Sequence, residues 1–136
     1  IFQTTFPLME RKQFALAVSD IYVQKNFTTL VHALARVQKK FPDLKLKIAG
    51  HPIDDDYFSH LQHLIRSLKL EGSVEFLGHV QAAALKELYQ MCHLFVFPST
   101  VETFGNPLVE AMACGAPIAS SNLHQSDWES HRSNPR

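Results

Sequence analysis

The stretch Leu44-Lys-Leu-Lys-Ile-Ala-Gly50 alternates apolar and polar residues and then stops at a glycine. Alternation with a period of two is typical of a half-buried β-strand, and the glycine favours a turn directly after it. Short apolar runs elsewhere in the chain also end at turn-forming residues. The sequence therefore predicts five strands, the other four at residues 14–19, 74–77, 94–97 and 118–120.

Between these strands, apolar residues recur three and four positions apart, as they do on one face of a helix. One such face contains Phe27, Leu30, Val31, Leu34 and Val37, and the next contains Tyr57, Leu61, Leu64, Ile65 and Leu68. Residues 81–91 and 107–114 are predicted as two further helices. Strands that alternate with helices favour an α/β fold, in which a doubly wound, Rossmann-like parallel sheet carries helices on both faces.

The expected strand order of this sheet is 3-2-1-4-5, which places the first and fourth strands side by side. Ligands of such sheets bind at the carboxyl ends of the strands, where the chain reverses direction. The loops at that point are residues 20–26 and 98–106. The fold alone therefore nominates these two loops as the binding site.

Composition supports one globular domain and excludes several classes of protein. The chain has 136 residues, of which 46% are hydrophobic and 19% charged, proportions that are ordinary for a folded domain. Thirteen basic residues balance thirteen acidic ones, so the total charge does not indicate a nucleic-acid partner. Two cysteines make no disulfide framework and no apolar run is long enough for a membrane span, so a cytoplasmic location is expected.

The second nominated loop leads into a helix start that suits an anion. Asn106 is predicted to be the N-cap and Pro107 the first helical residue, while Gly105 would let a ligand approach the backbone. The amides of Leu108 and Val109 are then expected to be unpaired within the helix, at the positive end of its dipole. A phosphate or carboxylate is the natural ligand of such a helix start.

A positive side chain for this anion has to come from the first loop. Residues 87–131 contain no Lys or Arg, whereas the predicted topology brings Lys25 to the same crevice. A lysine and helix amides would hold a diphosphate, and Glu102 and Glu110 could accept hydrogen bonds from hydroxyls. A ligand that contains both a diphosphate and several hydroxyl groups is a nucleotide-sugar, which is therefore the predicted ligand.

These segments resemble the C-terminal domain of the family 4 retaining glycosyltransferases over about residues 14–122. The resemblance rests on an intact E-x(7)-E motif and on short matches in the right order: Lys25-Asn26, Ile48-Ala49-Gly50, Phe76-Leu77-Gly78, Phe97-Pro98-Ser99 and residues 102–110. It implies half of a GT-B enzyme that transfers a hexose from GDP or UDP, of mannosyl or rhamnosyl type, in bacterial surface-polysaccharide synthesis. It also implies a metal-independent reaction without a cofactor, and a glycan or lipid-linked acceptor bound by a separate N-terminal domain.

The resemblance also implies roles for individual residues. Lys25 and Glu102 would be catalytic, through contacts with the diphosphate and with donor-sugar hydroxyls. Glu110 would bind ribose hydroxyls. The remaining donor-binding residues implied by the resemblance are Gly78, His79 and Val80 near the base and Gly105, Asn106, Pro107 and Leu108 near the sugar or phosphate. The chain departs from the family in lacking the Arg that often precedes the lysine, which places more of the leaving-group stabilisation on Lys25.

Other polar clusters have simpler explanations. Three consecutive acids, Asp54 to Asp56, precede a predicted helix and are explained by capping and by the helix dipole rather than by a metal. His60 and His63 are expected to be solvated, and Gly115 is expected to end the last helix. His51 and His79 follow the second and third strands and could touch a nucleotide.

Residues 1–13 are expected to be a lead-in segment, residues 14–122 an incomplete Rossmann-like domain, and residues 123–136 an irregular polar tail. The chain is interpreted as part of a longer protein, inactive by itself, with apolar surface that could favour self-association. Peripheral association of the full-length protein with the inner membrane is a further alternative. Rival interpretations are a non-catalytic nucleotide-binding module, half of a GT-B sugar-nucleotide epimerase, and a degenerate product.

Overall fold

The computed structural model describes residues 11–100 and 105–121, and within them strands alternate with helices. The strands are β1 (Lys12–Val18), β2 (Lys45–Ala49), β3 (Val74–Gly78), β4 (Cys92–Phe97) and β5 (Ile118–Ser120). The helices are α1 (Phe27–Val37), α2 (Asp55–Ser67), α3 (Ala82–Met91) and α4 (Asn106–Ala113), and a single 3-10 turn (Val23–Lys25) precedes α1.

The described strands form one parallel sheet in the order β3-β2-β1-β4-β5. Leu16 of β1 pairs with Phe95 of β4, and Ala17 of β1 pairs with Ile48 of β2. The predicted fold class and strand order are therefore confirmed. The direction of winding changes between β1 and β4, and this is where such a sheet opens a crevice at its carboxyl edge.

Each face of the sheet carries its own hydrophobic core. On one face, buried residues of β1 and β2 such as Ala17 and Ile48 pack against Leu30 and Leu34 of α1 and against α2. On the opposite face, the cluster contains Phe14, Leu16, Tyr89, Cys92, Phe95, Phe97, Ala111 and Ala116. Neighbouring residues of β1 thus enter different cores, because successive side chains of a strand point to opposite faces.

The bounds of β1, β4 and α4 differ from the prediction. The first strand begins at Lys12 rather than residue 14, since Lys12 and Gln13 are exposed and leave no apolar signal. Similarly, β4 begins at Cys92 and not at residue 94. Asn106 is already the first residue of α4 and Gly105 is its N-cap, so the assignment of Asn106 as N-cap is wrong by one residue.

Two other predicted helix ends are confirmed. The carboxylate of Asp54 accepts a 3.0 Å hydrogen bond from the N–H of Tyr57, so Asp54 caps α2. At the end of α4, Gly115 has a φ of 72° and donates to the carbonyl of Met112, while Ala116 donates to that of Ala111. This pair of bonds is a Schellman motif, which requires the left-handed backbone that glycine adopts most easily.

The described residues also show the exposure of two histidines and the grouping of polar side chains. Both His60 and His63 are exposed on α2, as predicted. Across residues 11–100 and 105–121, no three His, Cys, Asp or Glu side chains come together as a metal-ion site. None of the helices in these ranges is both long enough and apolar enough to cross a membrane.

Candidate functional site

The carboxyl ends of β1 and β4 enclose a narrow opening, which we call the strand crevice. It is lined by Ser19 after β1, Lys25 of the first loop, Phe97 at the end of β4, and Pro98 and Ser99 of the second loop, among others. The enclosed volume is about 10 Å³, enough for one water molecule. A larger ligand would therefore lie across the mouth of the crevice, where Lys25 and the loop after β4 meet.

Lys25 is held at this rim by its local backbone. It closes the 3-10 turn by donating its N–H to the carbonyl of Tyr22 at 3.0 Å, and its ammonium lies 5.5 Å from the centre of the Tyr22 ring. The next residue, Asn26, has a φ of 59° and accepts a 2.7 Å bond from the Thr29 hydroxyl. Because asparagine tolerates the left-handed region better than most residues, the pair Lys25-Asn26 allows the chain to turn sharply from the crevice into α1.

The start of α4 lies at the same edge of the sheet. Gly105 packs against Phe97, since a Cβ at position 105 would be 3.5 Å from the Phe97 ring. The N–H of Val109 donates to the Gly105 carbonyl at 3.1 Å, so the prediction that this amide is unpaired is wrong. The reason is the earlier helix start, which makes Gly105 the first carbonyl of the helix. Asn106, Pro107 and Leu108 occupy the first turn.

A second opening, the histidine cleft, lies between the ends of β1, β2 and β3. It has a volume of about 180 Å³ and is lined by Ser19, Asp20, Gly50, His79, Val80 and Leu85, among others. The rings of His51 and His79 stack at 5.6 Å with 5° between their planes. Two of the predicted base-binding residues, His79 and Val80, therefore lie in one wall of this cleft. The third, Gly78, supports it by accepting the Gly50 N–H at 2.8 Å.

Asp20 is a residue of the histidine cleft that the sequence analysis did not single out. Its carboxylate accepts the N–H of His51 at 3.1 Å, which ties the loop after β1 to the loop after β2. The sequence signal was only the position of Asp20 in the nominated loop 20–26. A lone acid there gives no indication of which neighbouring strand it will contact.

A third opening, the Tyr89 cleft, separates α3 from α4. It has a volume of about 240 Å³ and is lined by Ala82, Leu85, Lys86, Tyr89, Glu110, Ala113 and Cys114. Leu85 also lines the histidine cleft, so the two clefts are neighbours. The hydroxyl of Tyr89 donates a 2.9 Å hydrogen bond to Oε2 of Glu110. Burial, with this bond and the charge of Glu110, raises the pKa of the Tyr89 hydroxyl well above its ordinary value, so Tyr89 stays protonated.

Four of the predicted site residues line the three openings, whereas Gly78 and the residues at the start of α4, Gly105 to Leu108, are not among the residues that line them. Lys25 lines the strand crevice, His79 and Val80 line the histidine cleft, and Glu110 lines the Tyr89 cleft. The predicted catalytic residue Glu102 lies outside the described residues. Tyr89 was missed because a tyrosine on the apolar face of a helix is indistinguishable in sequence from an ordinary core residue.

Comparison with known proteins gives one family over almost the whole chain. Residues 3–128 match the family of glycosyl transferases group 1. The match includes the strands, helices and clefts described above.

Two of the most similar curated relatives are named as mannosyltransferases. The chain is 33% identical over 132 residues to the serotype-specific mannosyltransferase WbdA of Escherichia coli, covering 90% of this chain and 16% of the relative. It is 32% identical over 116 residues to the O-antigen chain mannosyltransferase RfbU of Salmonella typhimurium, covering 84% and 31%. The chain therefore spans less than a third of the length of either relative.

Among solved structures, Alr3699/HepE of Anabaena in complex with UDP-glucose has the same architecture. The TM-score is 0.75 at 28% sequence identity, and the superposition covers 85% of this chain and 31% of the other.

Proposed function

The chain belongs to the family of glycosyl transferases group 1, and from this premise we propose that it is the donor-binding part of a retaining, metal-independent hexosyltransferase. The donor in this proposal is a nucleotide-diphosphate sugar with GDP or UDP as the nucleotide. The reaction transfers the hexose to a glycan or lipid-linked acceptor in bacterial surface-polysaccharide synthesis. The acceptor site would be supplied by a separate domain.

One observation carries the proposal, namely that Lys25 and the loop after β4 line the same crevice at the reversal point of the sheet. The start of α4 follows the same loop, and Gly105 at this start packs against the ring of Phe97, which is also one of the residues that line the crevice. A lysine and a helix N-terminus at one edge are suited to a diphosphate. Support also comes from the Anabaena protein of the same architecture, which was solved with UDP-glucose.

The clefts suggest how the rest of a donor would be arranged. The base would enter the histidine cleft beside His79 and Val80, and the ribose hydroxyls would meet Glu110 in the neighbouring Tyr89 cleft. The diphosphate would lie at Lys25 and the first turn of α4. The hydroxyls of the sugar would be bound by Glu102, as the motif implies.

In this arrangement, the main chemical task is to stabilise charge on the departing diphosphate. The bond between the anomeric carbon and the diphosphate oxygen breaks through an oxocarbenium-like state while the acceptor hydroxyl oxygen bonds to that carbon, and the hydroxyl proton passes to the departing diphosphate. Donors held in place for the developing charge can each contribute roughly 3–4 kcal/mol. Lys25 is the residue proposed to supply most of this stabilisation.

The sugar is proposed to be of mannosyl or rhamnosyl type, as the resemblance implies. The mannosyl alternative has support from the relatives from Escherichia coli and Salmonella typhimurium, which are named as mannosyltransferases. The chain alone is expected to bind the donor without turnover, since transfer needs an acceptor held against the anomeric carbon. The proposal also places the reaction in the cytoplasm, because the enzyme would need nucleotide-sugar donors that are present there.

Calorimetric titration of the chain with GDP and with UDP tests the proposal. We expect at least one nucleotide to bind, and its affinity to be the same with and without EDTA. Lys25→Ala should weaken binding by roughly 10- to 100-fold, because it removes a hydrogen bond from a charged group. Lys40→Ala is the matched control. The ammonium of Lys40 also lies over an aromatic ring, that of Phe41 at 5.8 Å, but Lys40 follows α1 and is at the opposite edge of the sheet.

Equal losses in the two lysine variants, or no binding of either nucleotide, would contradict the proposed site. Incubation with GDP-mannose and UDP-glucose adds a second readout. Release of an isomerised sugar nucleotide in the absence of an acceptor would indicate an epimerase instead of a transferase.

A further inference from the structure

We propose that Tyr89 is a positioning residue that orients the carboxylate of Glu110 towards the two neighbouring hydroxyls of a ribose. The inference rests on the proposed function, because it assumes that Glu110 meets the ribose of a bound nucleotide. It assigns a task to a side chain on α3 that lies outside the E-x(7)-E motif.

The contact joins a buried side chain to an exposed one across two helices. Tyr89 is 2% exposed on α3, whereas Glu110 is exposed on α4. The phenol hydroxyl donates to Oε2 of the carboxylate at 2.9 Å. One end of this hydrogen bond is thus fixed in the core and the other reaches solvent.

The ring of Tyr89 has little freedom to move. It packs edge to face against Phe95 of β4, with ring centres 5.5 Å apart, and belongs to the same core as Phe97 and Ala111. A buried phenol hydroxyl requires a partner, and the partner here is Glu110. A tyrosine hydroxyl is protonated at neutral pH, and burial raises its pKa further, so it remains a donor.

This bond leaves most of the carboxylate available. An ionised carboxylate can accept about four hydrogen bonds, and Tyr89 uses one of these positions on Oε2. The side chain of Glu110 lines the Tyr89 cleft together with Lys86 and Leu85. Vicinal hydroxyls are two donors side by side, which a carboxylate held in one orientation can accept together.

The position of the cleft agrees with a ribose. Leu85 lines both the Tyr89 cleft and the histidine cleft, where the base is proposed to bind. A nucleoside that places its base beside His79 would extend its sugar past Leu85 towards Glu110. Without the phenol hydroxyl, Glu110 would have to be ordered by the ligand, and affinity would fall.

The experiment measures binding of GDP and UDP and of their 2′,3′-dideoxy analogues to wild type, Tyr89→Phe, Glu110→Gln and the double variant. We expect Tyr89→Phe to weaken the ribose nucleotides by about tenfold and to leave the dideoxy analogues unchanged. In the Glu110→Gln background, Tyr89→Phe should have no further effect. The effect of removing the phenol hydroxyl would then depend on whether the ligand has ribose hydroxyls. A variant that only lost stability would not show this dependence.

Tyr57→Phe provides a matched control, because the Tyr57 hydroxyl also makes a hydrogen bond, accepting the N–H of Thr28 at 3.2 Å. It lies on α2, on the other face of the sheet. Removal of the Tyr57 hydroxyl should change the affinities for ribose and dideoxy nucleotides to the same extent.

Each outcome decides one point. The inference is overturned if Tyr89→Phe weakens the binding of ribose and dideoxy nucleotides equally. It is also overturned if Tyr89→Phe weakens the binding of neither, while Glu110→Gln weakens the binding of the ribose nucleotides. In both cases Tyr89 is a core residue only. If wild type binds no nucleotide, the proposed function fails, and the inference fails with it.

Discussion

The N–H of Thr100 donates a hydrogen bond to the carbonyl oxygen of Gln24 over 2.9 Å, and the Thr100 hydroxyl reaches the same oxygen at 3.1 Å. These bonds join the loop after β4 to the residue directly before Lys25. They explain how two segments that are 76 positions apart in sequence can present their side chains to one crevice.

Gly50 is expected to be indispensable for the edge that carries the clefts. A Cβ at this position would lie 1.8 Å from the carbonyl oxygen of Ser19, and the φ of Gly50 is 154°. Gly50→Ala should therefore lower the free energy of unfolding by roughly 3 kcal/mol or more, through strain and overpacking. Gly72→Ala is the control, since no atom lies within 4 Å of the added carbon. Urea denaturation measures both, and equal stabilities of the two variants would contradict the close approach.

Arg11 is expected to stabilise the opposite edge of the sheet. Its guanidinium donates to the carbonyls of Gln90, Cys92 and Gly115 at 3.3, 3.1 and 2.7 Å. Arg11→Ala should cost about 2 kcal/mol in unfolding free energy, and Arg11→Lys should recover only part of it because an ammonium cannot span three carbonyls. Thermal denaturation with Lys12→Ala as the neighbouring control measures this. Full recovery by lysine would show that charge alone is sufficient.

The two thiols are expected to react at very different rates. Cys92 is fully buried, and burial raises the pKa of its thiol to about 11, so little reactive thiolate forms. Cys114 is partly exposed and lines the Tyr89 cleft. N-ethylmaleimide should label Cys114 first, and a nucleotide bound beside Glu110 should slow the reaction. Intact-protein mass spectrometry over time, with Cys114→Ser as the control, shows which thiol is labelled first. Rapid labelling of the Cys114→Ser variant would contradict the burial of Cys92.

Stability is expected to fall at alkaline pH. The pKa of Cys92 rises from its ordinary 9.0 to about 11 on folding, so between these values the unfolded chain releases a proton that the folded chain retains. Fewer bound protons in the unfolded state mean that the free energy of unfolding decreases as pH rises through this window. The raised pKa of Tyr89 acts in the same direction.

Cys92→Ala isolates the thiol contribution to this pH dependence. The variant loses some packing at every pH, but its unfolding free energy should decline less steeply above pH 9. Urea midpoints measured across the alkaline range give the two slopes. Parallel slopes for wild type and variant would show that the thiol titrates alike in both states.

The sequence analysis nominated the two loops that line the strand crevice, and some residues of the predicted site line openings in the structure. Lys25 and Ser99 lie in one crevice because the strand order that was expected, with β1 beside β4, is the order of the sheet. The start of α4 was misjudged by one residue, because Gly105 can cap a helix and leaves Asn106 free to enter it. The partners of Asp20 could not be predicted, since His51 comes from a loop 31 positions away.

By itself, the sequence determined the alternation of strands and helices, because a strand or helix that buries one face has apolar residues at a regular spacing. Its short motifs, by resemblance, indicated the family. Only the tertiary structure decided that Tyr89 bonds to Glu110 and that Arg11 joins three separate carbonyls. Such contacts join residues between 21 and 104 positions apart. They depend on distances between packed elements, which local periodicity does not encode.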